Sequence, residues 1–312
     1  MEKTAPEKRT LPPPRLNQSL TQNTMTAPPL SDLDLAALLA VLENEEDFVF
    51  LETTRVSAEN RFSYLFRNPV ARLHCRATDS VTDFFGRVQT YLEQGWYLAG
   101  WFAYEFGLLL EPVLTARQGH CPQGLLADLG VYPEPHIFDH QQGRFAGAGP
   151  WPVKEGGRPA EGFSAHELRP NVAKADYLEA VERIKRYIEA GDTYQVNYTL
   201  KLLFDFEGSA EDLYTALRRN QSVAYGAYLR TGERRIMSFS PELFFRKAGR
   251  LCTVRPMKGT VRRGITSEED RQLAAFLKND EKNRSENVMI VDLLRNDLGR
   301  LATMGTVSAV SL

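Results

Sequence analysis

An α+β fold is predicted for this chain of 312 residues. Three observations carry the prediction. Helical periodicities are separated by runs of adjacent strands, strands and helices do not alternate one by one, and neither a heptad array nor an internal repeat occurs. Hydrophobic residues make up 43% of the chain and charged residues 25%, the balance of a globular protein with a sizeable core. The length exceeds what one hydrophobic core usually spans, so one large domain or two are expected.

The elements follow in order. Residues 1–30 are polar and Pro-rich with no apolar leader, which predicts a disordered tail. Ser31 can cap a helix running to about Asn44, with Leu35, Leu38, Leu39 and Leu42 on one face. "FVFLET" reads as a strand, "SVTDFFGRVQTYLEQG" as a helix ended by Gly95, and "WYLAGWFAYEFG" as a buried strand. "LGVYPEPHIFDHQQGR" reads as an edge hairpin, and the Gly- and Pro-rich stretch "GAGPWPVKEGGRPAEG" as the best linker. The division expected is therefore an N-terminal domain over 31–150, a linker over 151–170 and a second domain over 171–312.

In the second half, Tyr177, Val181, Ile184 and Ile188 recur at helical spacing until Gly191. Five strand candidates follow: "YQVNYTLKLLF", "VAYGAYLR", "RRIMSFS", "ELFFRKA" and "RLCTVRP". Thr266-Ser-Glu-Glu-Asp270 holds two overlapping capping boxes and opens a long helical stretch, with a break near 279–282 and an end around Gly299. Its second part, "NRSENVMIVDLLRNDLGRL", is apolar almost all round, the pattern of a buried helix.

Composition excludes several classes of function. The net charge of −2 gives no overall field for nucleic acid or an anionic membrane. No apolar run is long enough to cross a bilayer. Three cysteines without metal-ligand spacing point to a reducing compartment, and hence to the cytoplasm. The last histidine is His166, so no His-ligated metal site can form later in the chain.

Three places have residues suited to chemistry. Glu286 shares a helix face with Ile290, Leu293 and Asp297. A carboxylate on such a face is either a ligand for a hard cation such as Mg²⁺ or half of an ion pair with Arg284 or a nearby lysine. Glu242, behind Ser240 and Pro241, opens a strand with apolar neighbours and suits a general acid, or is simply exposed. Lys258 stands in "VRPMKGTVRRG" between Pro256 and Gly259. It is either a nucleophile held at a strand end or one more solvated charge in a basic turn. A phosphate loop is excluded because the lysine precedes the glycine, and no aromatic is interleaved to make a nucleic-acid patch.

Taken together, "GDTYQVNYTL", "FSPELFF", "RPMKGTVRRG" and "KNRSENVMIVDLLRNDLGRL", in this order and spacing, resemble the chorismate-utilising enzymes. The resemblance is strong from Lys174 to Gly305 and looser before it, through "FLETTR" and "GWYLAGWFAYEFG". It implies a β-sandwich-like pair of sheets with helices packed outside. Gln195 stands where members that use water carry a lysine, which argues against water as nucleophile. Lys258 stands where anthranilate synthases usually have Ala, which is the pattern of aminodeoxychorismate synthases.

By that resemblance Lys258 is the nucleophile, Glu242 the acid, Gly259 and Thr260 substrate-binding positions, and Glu286 a ligand of Mg²⁺. The implied reaction takes chorismate and ammonia to 4-amino-4-deoxychorismate, on the way to p-aminobenzoate and folate, with ammonia from a separate glutamine amidotransferase subunit. Anthranilate synthase component I is the alternative, and a remnant that only binds a partner is another. Gln221 and Val223 replace family prolines, and Thr53 replaces a common Ser, which weakens any case for tryptophan feedback. The chain closes at "TMGTVSAVSL", ahead of the family's C-terminal segment, so a truncated, inactive form with open sheet edges is expected.

Overall fold

The computed structural model describes residues 29–111, 113 and 124–310. The predicted tail therefore lies outside the described residues except for its last two positions. Helix α1 (Asp32–Leu42) begins where Ser31 accepts a hydrogen bond from Asp34 N, and it buries Leu35, Leu38, Leu39 and Leu42 to within 1% exposure. Full burial of each leucine is worth about 1.5–3 kcal/mol.

That apolar face lies on an antiparallel sheet of six strands. In chain order these are β1 (Asp47–Glu52), β2 (Phe62–Arg67), β6 (His136–Asp139), β7 (Arg144–Gly147), β10 (Tyr225–Thr231) and β11 (Arg234–Ser240). Their spatial order is β11-β10-β1-β2-β6-β7. Strand β1 is central, with Asp47 opposite Thr231 on one side and Phe48 opposite Arg67 on the other. Period-two alternation sends Phe48 and Phe50 towards α1, where they meet Trp151, Tyr214 and Tyr228. Val49 points the other way, to Phe66, Leu229, Ala99 and Tyr132.

The second contact belongs to a three-stranded antiparallel sheet, β3-β5-β4, of β3 (Ala71–Arg76), β4 (Tyr97–Phe102) and β5 (Leu125–Tyr132). Its outer face packs Leu73, Cys75, Leu126 and Val131 against Phe84 of α2 (Val81–Glu93) and against Phe106. A short turn of helix, α3 (Gly107–Leu110), follows. The result is four layers: helix, sheet, sheet, helix. Arg72 ties the two sheets by reaching both Asp47 of β1 and Asp128 of β5.

Helix α4 is Lys174–Glu189, and α5 (Ala210–Asn220) lies beside α1 over the same sheet. Here Glu52, with a side chain 1% exposed, receives Arg218 at 2.7 Å and the Tyr214 hydroxyl at 2.7 Å. Arg218 also donates to the Leu30 carbonyl at 2.8 Å. Burial, and then the Glu52 carboxylate, push the Tyr214 phenol well above its ordinary range, so it stays a donor.

Beyond this body lie two antiparallel ribbons, β8 (Phe163–Pro170) with β9 (Leu202–Gly208), and β12 (Leu243–Ala248) with β13 (Leu251–Arg255). Helices α6 (Ser267–Asn279) and α7 (Glu281–Gly299) follow. No described helix is long and apolar enough to cross a membrane.

Three expectations need correction. The residues "LGVYPEPHIFDHQQGR" do not form one hairpin: β5 is the middle strand of the small sheet, and β6 pairs with β7 and β2 in the large one. Tyr194–Lys201 lies outside any strand, and pairing starts only at Leu202. β-Propensity needs a partner strand, and only Lys201, bonded to Asn171 at 2.9 and 2.8 Å, meets the neighbouring chain ahead of the β8–β9 ladder. Helix α7 is not buried. It contacts α6, while Val288 and Leu293 stay 47% and 48% exposed, because no described layer covers it. The 151–170 segment contains the buried Trp151, Arg158 bound to Glu43 and Asp212, and strand β8.

Candidate active site

The four basic residues of "VRPMKGTVRRG" have different surroundings. Arg255, at the end of β13, pairs with Glu59 of the β1–β2 loop. Arg262 pairs with Glu269 at 2.5 Å, and Arg263 forms a two-pronged contact with Asp270, at 2.7 Å from Nε and 2.6 Å from Nη2. Lys258 is half-buried, and among the described residues it has no ion-pair partner.

Local sequence chemistry explains why the loop over 256–265 is held at both ends. At its far end, Asp270 Oδ1 accepts the Gly264 N–H at 2.9 Å and Glu269 Oε2 accepts the Ile265 N–H at 2.7 Å. Both carboxylates lie in the first turn of α6, where Thr266 Oγ1 also caps the Glu269 N–H at 3.1 Å. Arg263, then the Gly264 N–H, hold the Asp270 carboxyl below its usual range. The Ile265 N–H, then Arg262, do the same for Glu269.

The near end of the loop rests on α7. Gly259 has φ +77, and a Cβ there would stand 2.4 Å from Asn283 Oδ1. Only glycine fits both the backbone angle and the gap. Asn283 lies in the first turn of α7, capped by Asp280 through its N–H at 2.9 Å and its Nδ2 at 2.8 Å.

Glu242 approaches from the other side. It is exposed and stands just ahead of β12, with its N–H on Ser240 Oγ at 3.2 Å and its own Oε1 accepting the Met257 N–H at 3.4 Å. Glu242 and the residue before Lys258 are thus joined by a hydrogen bond. Glu242 and Met257 also line a cleft of about 260 Å³, closed by Arg55, Asn60, Val223 and Tyr225. Arg246 on Asn60 at 2.8 Å helps hold the ribbon to the β1–β2 loop.

Glu286 is half-buried on α7, one turn beyond Asn283, and no ion pair to it occurs among the described residues. Its predicted pairing with Arg284 or a lysine is not formed. No group of three or more metal-ligating side chains occurs among the described residues. Thr260 is exposed on the loop, and Gln195 is half-buried in the irregular stretch, where its carbonyl accepts Thr193 Oγ1 at 3.2 Å. The structure therefore strings Glu242, Met257, Lys258, Gly259 and the first turn of α7 along one path, with Glu286 a turn further on. The sequence reading gave Glu269 and Asp270 only a capping role and missed Asn283. Asp280-x-x-Asn283 at the helix break was the available signal, since it is a cap in its own right.

Comparison with known proteins matches this framework. Residues 49–312 match the family described as chorismate binding enzyme. The chain is 40% identical over 152 residues to aminodeoxychorismate synthase component 1 of Bacillus subtilis, covering 46% of this chain and 32% of that protein. It is 31% identical over 293 residues to the Salmonella typhimurium protein of the same name, covering 81% of this chain and 63% of that one. It is also 44% identical over 140 residues to anthranilate synthase component 1 of Thermus thermophilus, covering 45% and 30%. The matched part thus spans less than two thirds of each of these relatives.

Among solved structures, anthranilate synthase component I from Streptococcus pneumoniae aligns with a TM-score of 0.62 at 22% identity, over 77% of this chain and 62% of that one. The menaquinone-specific isochorismate synthase of Escherichia coli aligns at 0.57 and 13% identity, over 88% and 66%. These two show the same α+β fold of sheets with helices packed outside. With its match running from the central strand β1 to the last residue, the chain belongs to the chorismate-binding enzyme family.

Proposed function

We propose that this chain belongs to component I of an aminodeoxychorismate synthase. The observation that carries the reading is Lys258, the one basic residue of its loop left without an ion pair among the described residues, next in sequence to Met257, whose N–H is bonded to the exposed Glu242 carboxylate. An amine without a counter-ion at that place is available to serve as a nucleophile, which supports the reading.

In the proposed reaction the Lys258 amine forms a C–N bond to the chorismate ring as the bond from ring C4 to its hydroxyl breaks. Glu242 gives its proton to the departing oxygen, which leaves as water rather than hydroxide. Ammonia then bonds to C4 and the bond to Lys258 breaks, returning the lysine as a free amine. The proton released by the incoming nitrogen restores Glu242. The sum is chorismate plus ammonia to 4-amino-4-deoxychorismate plus water, with the enolpyruvyl group retained. Gly259 and Thr260 would contact the substrate, and Gln195, in place of a lysine, would leave water without an activating base.

Mg²⁺ suits the oxygen donor at Glu286, since this cation takes one or two carboxylates and fills its sphere with substrate oxygens and water. When bound, it would neutralise the ring carboxylate. Ammonia would come from a glutamine amidotransferase subunit in the cytoplasm.

The test is product identity. The full-length protein, given chorismate, Mg²⁺ and ammonium, should release 4-amino-4-deoxychorismate, read by mass spectrometry. Anthranilate with pyruvate as the main products would support the second reading, favoured by relatives such as the Thermus protein, and would overturn the first.

A further inference from the structure

The close approach of Gly259 to Asn283 is not used by the chemistry above, yet it leaves no space for a Cβ at position 259. The space a Cβ would need at Gly259 is filled by three atoms of one side chain: Oδ1 at 2.4 Å, Cγ at 2.8 Å and Cβ at 3.2 Å. Asn283 cannot easily yield, because Asp280 Oδ2 holds both its N–H at 2.9 Å and its Nδ2 at 2.8 Å. The second bond turns the carboxamide so that nitrogen faces the cap and oxygen faces the loop.

Position along the helix makes this contact informative. Glu286 lies three residues on, and residues so spaced are neighbours on a helix surface. The loop's far end is already fixed by Glu269 and Asp270 on α6. Its near end, where Lys258 sits, touches α7 through Gly259 against Asn283. The Lys258 side chain has four rotatable bonds and no ion-pair partner among the described residues, so the place and direction of its main chain decide where the amine can reach.

We propose that Asn283 is a positioning residue, which seats the main chain at Gly259 and thereby sets where Lys258 stands relative to the helix turn carrying Glu286. This rests on Lys258 being the nucleophile. A hydrocarbon side chain could fill the same space. The carboxamide adds a fixed orientation, because one end is bonded to the cap of the same helix. A displacement of about 1 Å at a reacting group can cost about 10²-fold in rate, so a contact of this kind bears on turnover more than on binding.

Three variants of the full-length protein test it: Asn283→Ala, Gly259→Ala and the double variant. Turnover is followed with chorismate and ammonium, acetylation of each lysine without substrate by mass spectrometry, and stability by thermal midpoint. Asn283→Ala should lower kcat about 10- to 100-fold with KM for chorismate within about twofold. It should change the acetylation rate of Lys258 and leave the other lysines as they were. Gly259→Ala should lose more than Asn283→Ala, and the double variant should regain part of that loss, because the clashes with Oδ1 and Cγ go while the Asn283 Cβ at 3.2 Å and the backbone strain stay. If Asn283→Ala lowers the midpoint by more than about 10 °C, Asn283→Ser replaces it in the same measurements.

Wild-type kcat together with wild-type Lys258 acetylation in Asn283→Ala overturns the proposal. Should the unaltered protein fail to aminate chorismate, the functional reading falls, and the acetylation rates still decide what Asn283 does.

Discussion

Lys258 is set apart by what its neighbours do with their charge: Arg255, Arg262 and Arg263 each hold a carboxylate, and among the described residues it does not. Lys258→Ala should therefore leave the thermal midpoint within a degree or two. It should cut turnover of chorismate by at least about 10³-fold, since removing a nucleophile takes away the covalent route. Near-normal turnover would return the lysine to a solvated turn. Glu286 makes a second prediction. With no group of three or more metal-ligating side chains among the described residues, Mg²⁺ alone should bind weakly, with Kd on the order of millimolar, and chorismate should tighten it. Calorimetry on Glu286→Gln should show that tightening gone. Arg218 is the contrasting case, a cation whose task is structural. Its loss would strand Glu52, whose side chain is 1% exposed, and Arg218→Ala should cost about 3–5 kcal/mol in urea unfolding.

Between residue and molecule stand the two helix starts that grip the loop. The Glu269 and Asp270 carboxyls titrate lower when folded than their ordinary values of 4.5 and 3.8. Their contribution is thus complete above those ordinary values and is lost as pH falls through the lower folded ones. Hydrogen exchange corrected for pH should show residues 260–266 loosening below about pH 4 while α1 stays protected. An unchanged loop at pH 3 would contradict this. The elements also show what sequence can reveal. Helix starts were legible, because Ser31 and Thr266 act within three residues of themselves and need no tertiary partner. The candidate site was legible as residue types, with Lys258, Glu242 and Glu286 found from motifs. The Gly259–Asn283 contact was not, because it joins two segments that only folding brings together. Strand pairing failed for the same reason: the apolar run before β6 looks like half of a hairpin, yet β5 goes to a different sheet. Helix α7 shows the limit of patterning, since apolar residues all round say that a helix wants covering, not what covers it.

At the scale of the whole molecule, the four layers from α1 to α2 hold nearly all the buried hydrophobic residues, while α4, α6 and α7 bury none. Amide exchange should follow that division: slowest in β1, β2, β10 and β5, fastest in the ribbon of β8 and β9. Slow exchange in that ribbon comparable to β1 would mean that its apolar face is covered in solution. One feature of the large sheet reaches further. Strand β1 is the first strand of the described chain, yet its neighbour β10 is made much later, with Asp47 opposite Thr231. On the ribosome, β1 must then wait with an unpaired edge until β10 has left the exit tunnel, and α1 cannot complete its packing before α5 supplies Tyr214. Pairings so distant in sequence make for slow folding. Nascent chains stalled short of Thr231 should be cleaved readily by protease in β1, and chains long enough to expose all of β10 and β11 should become resistant.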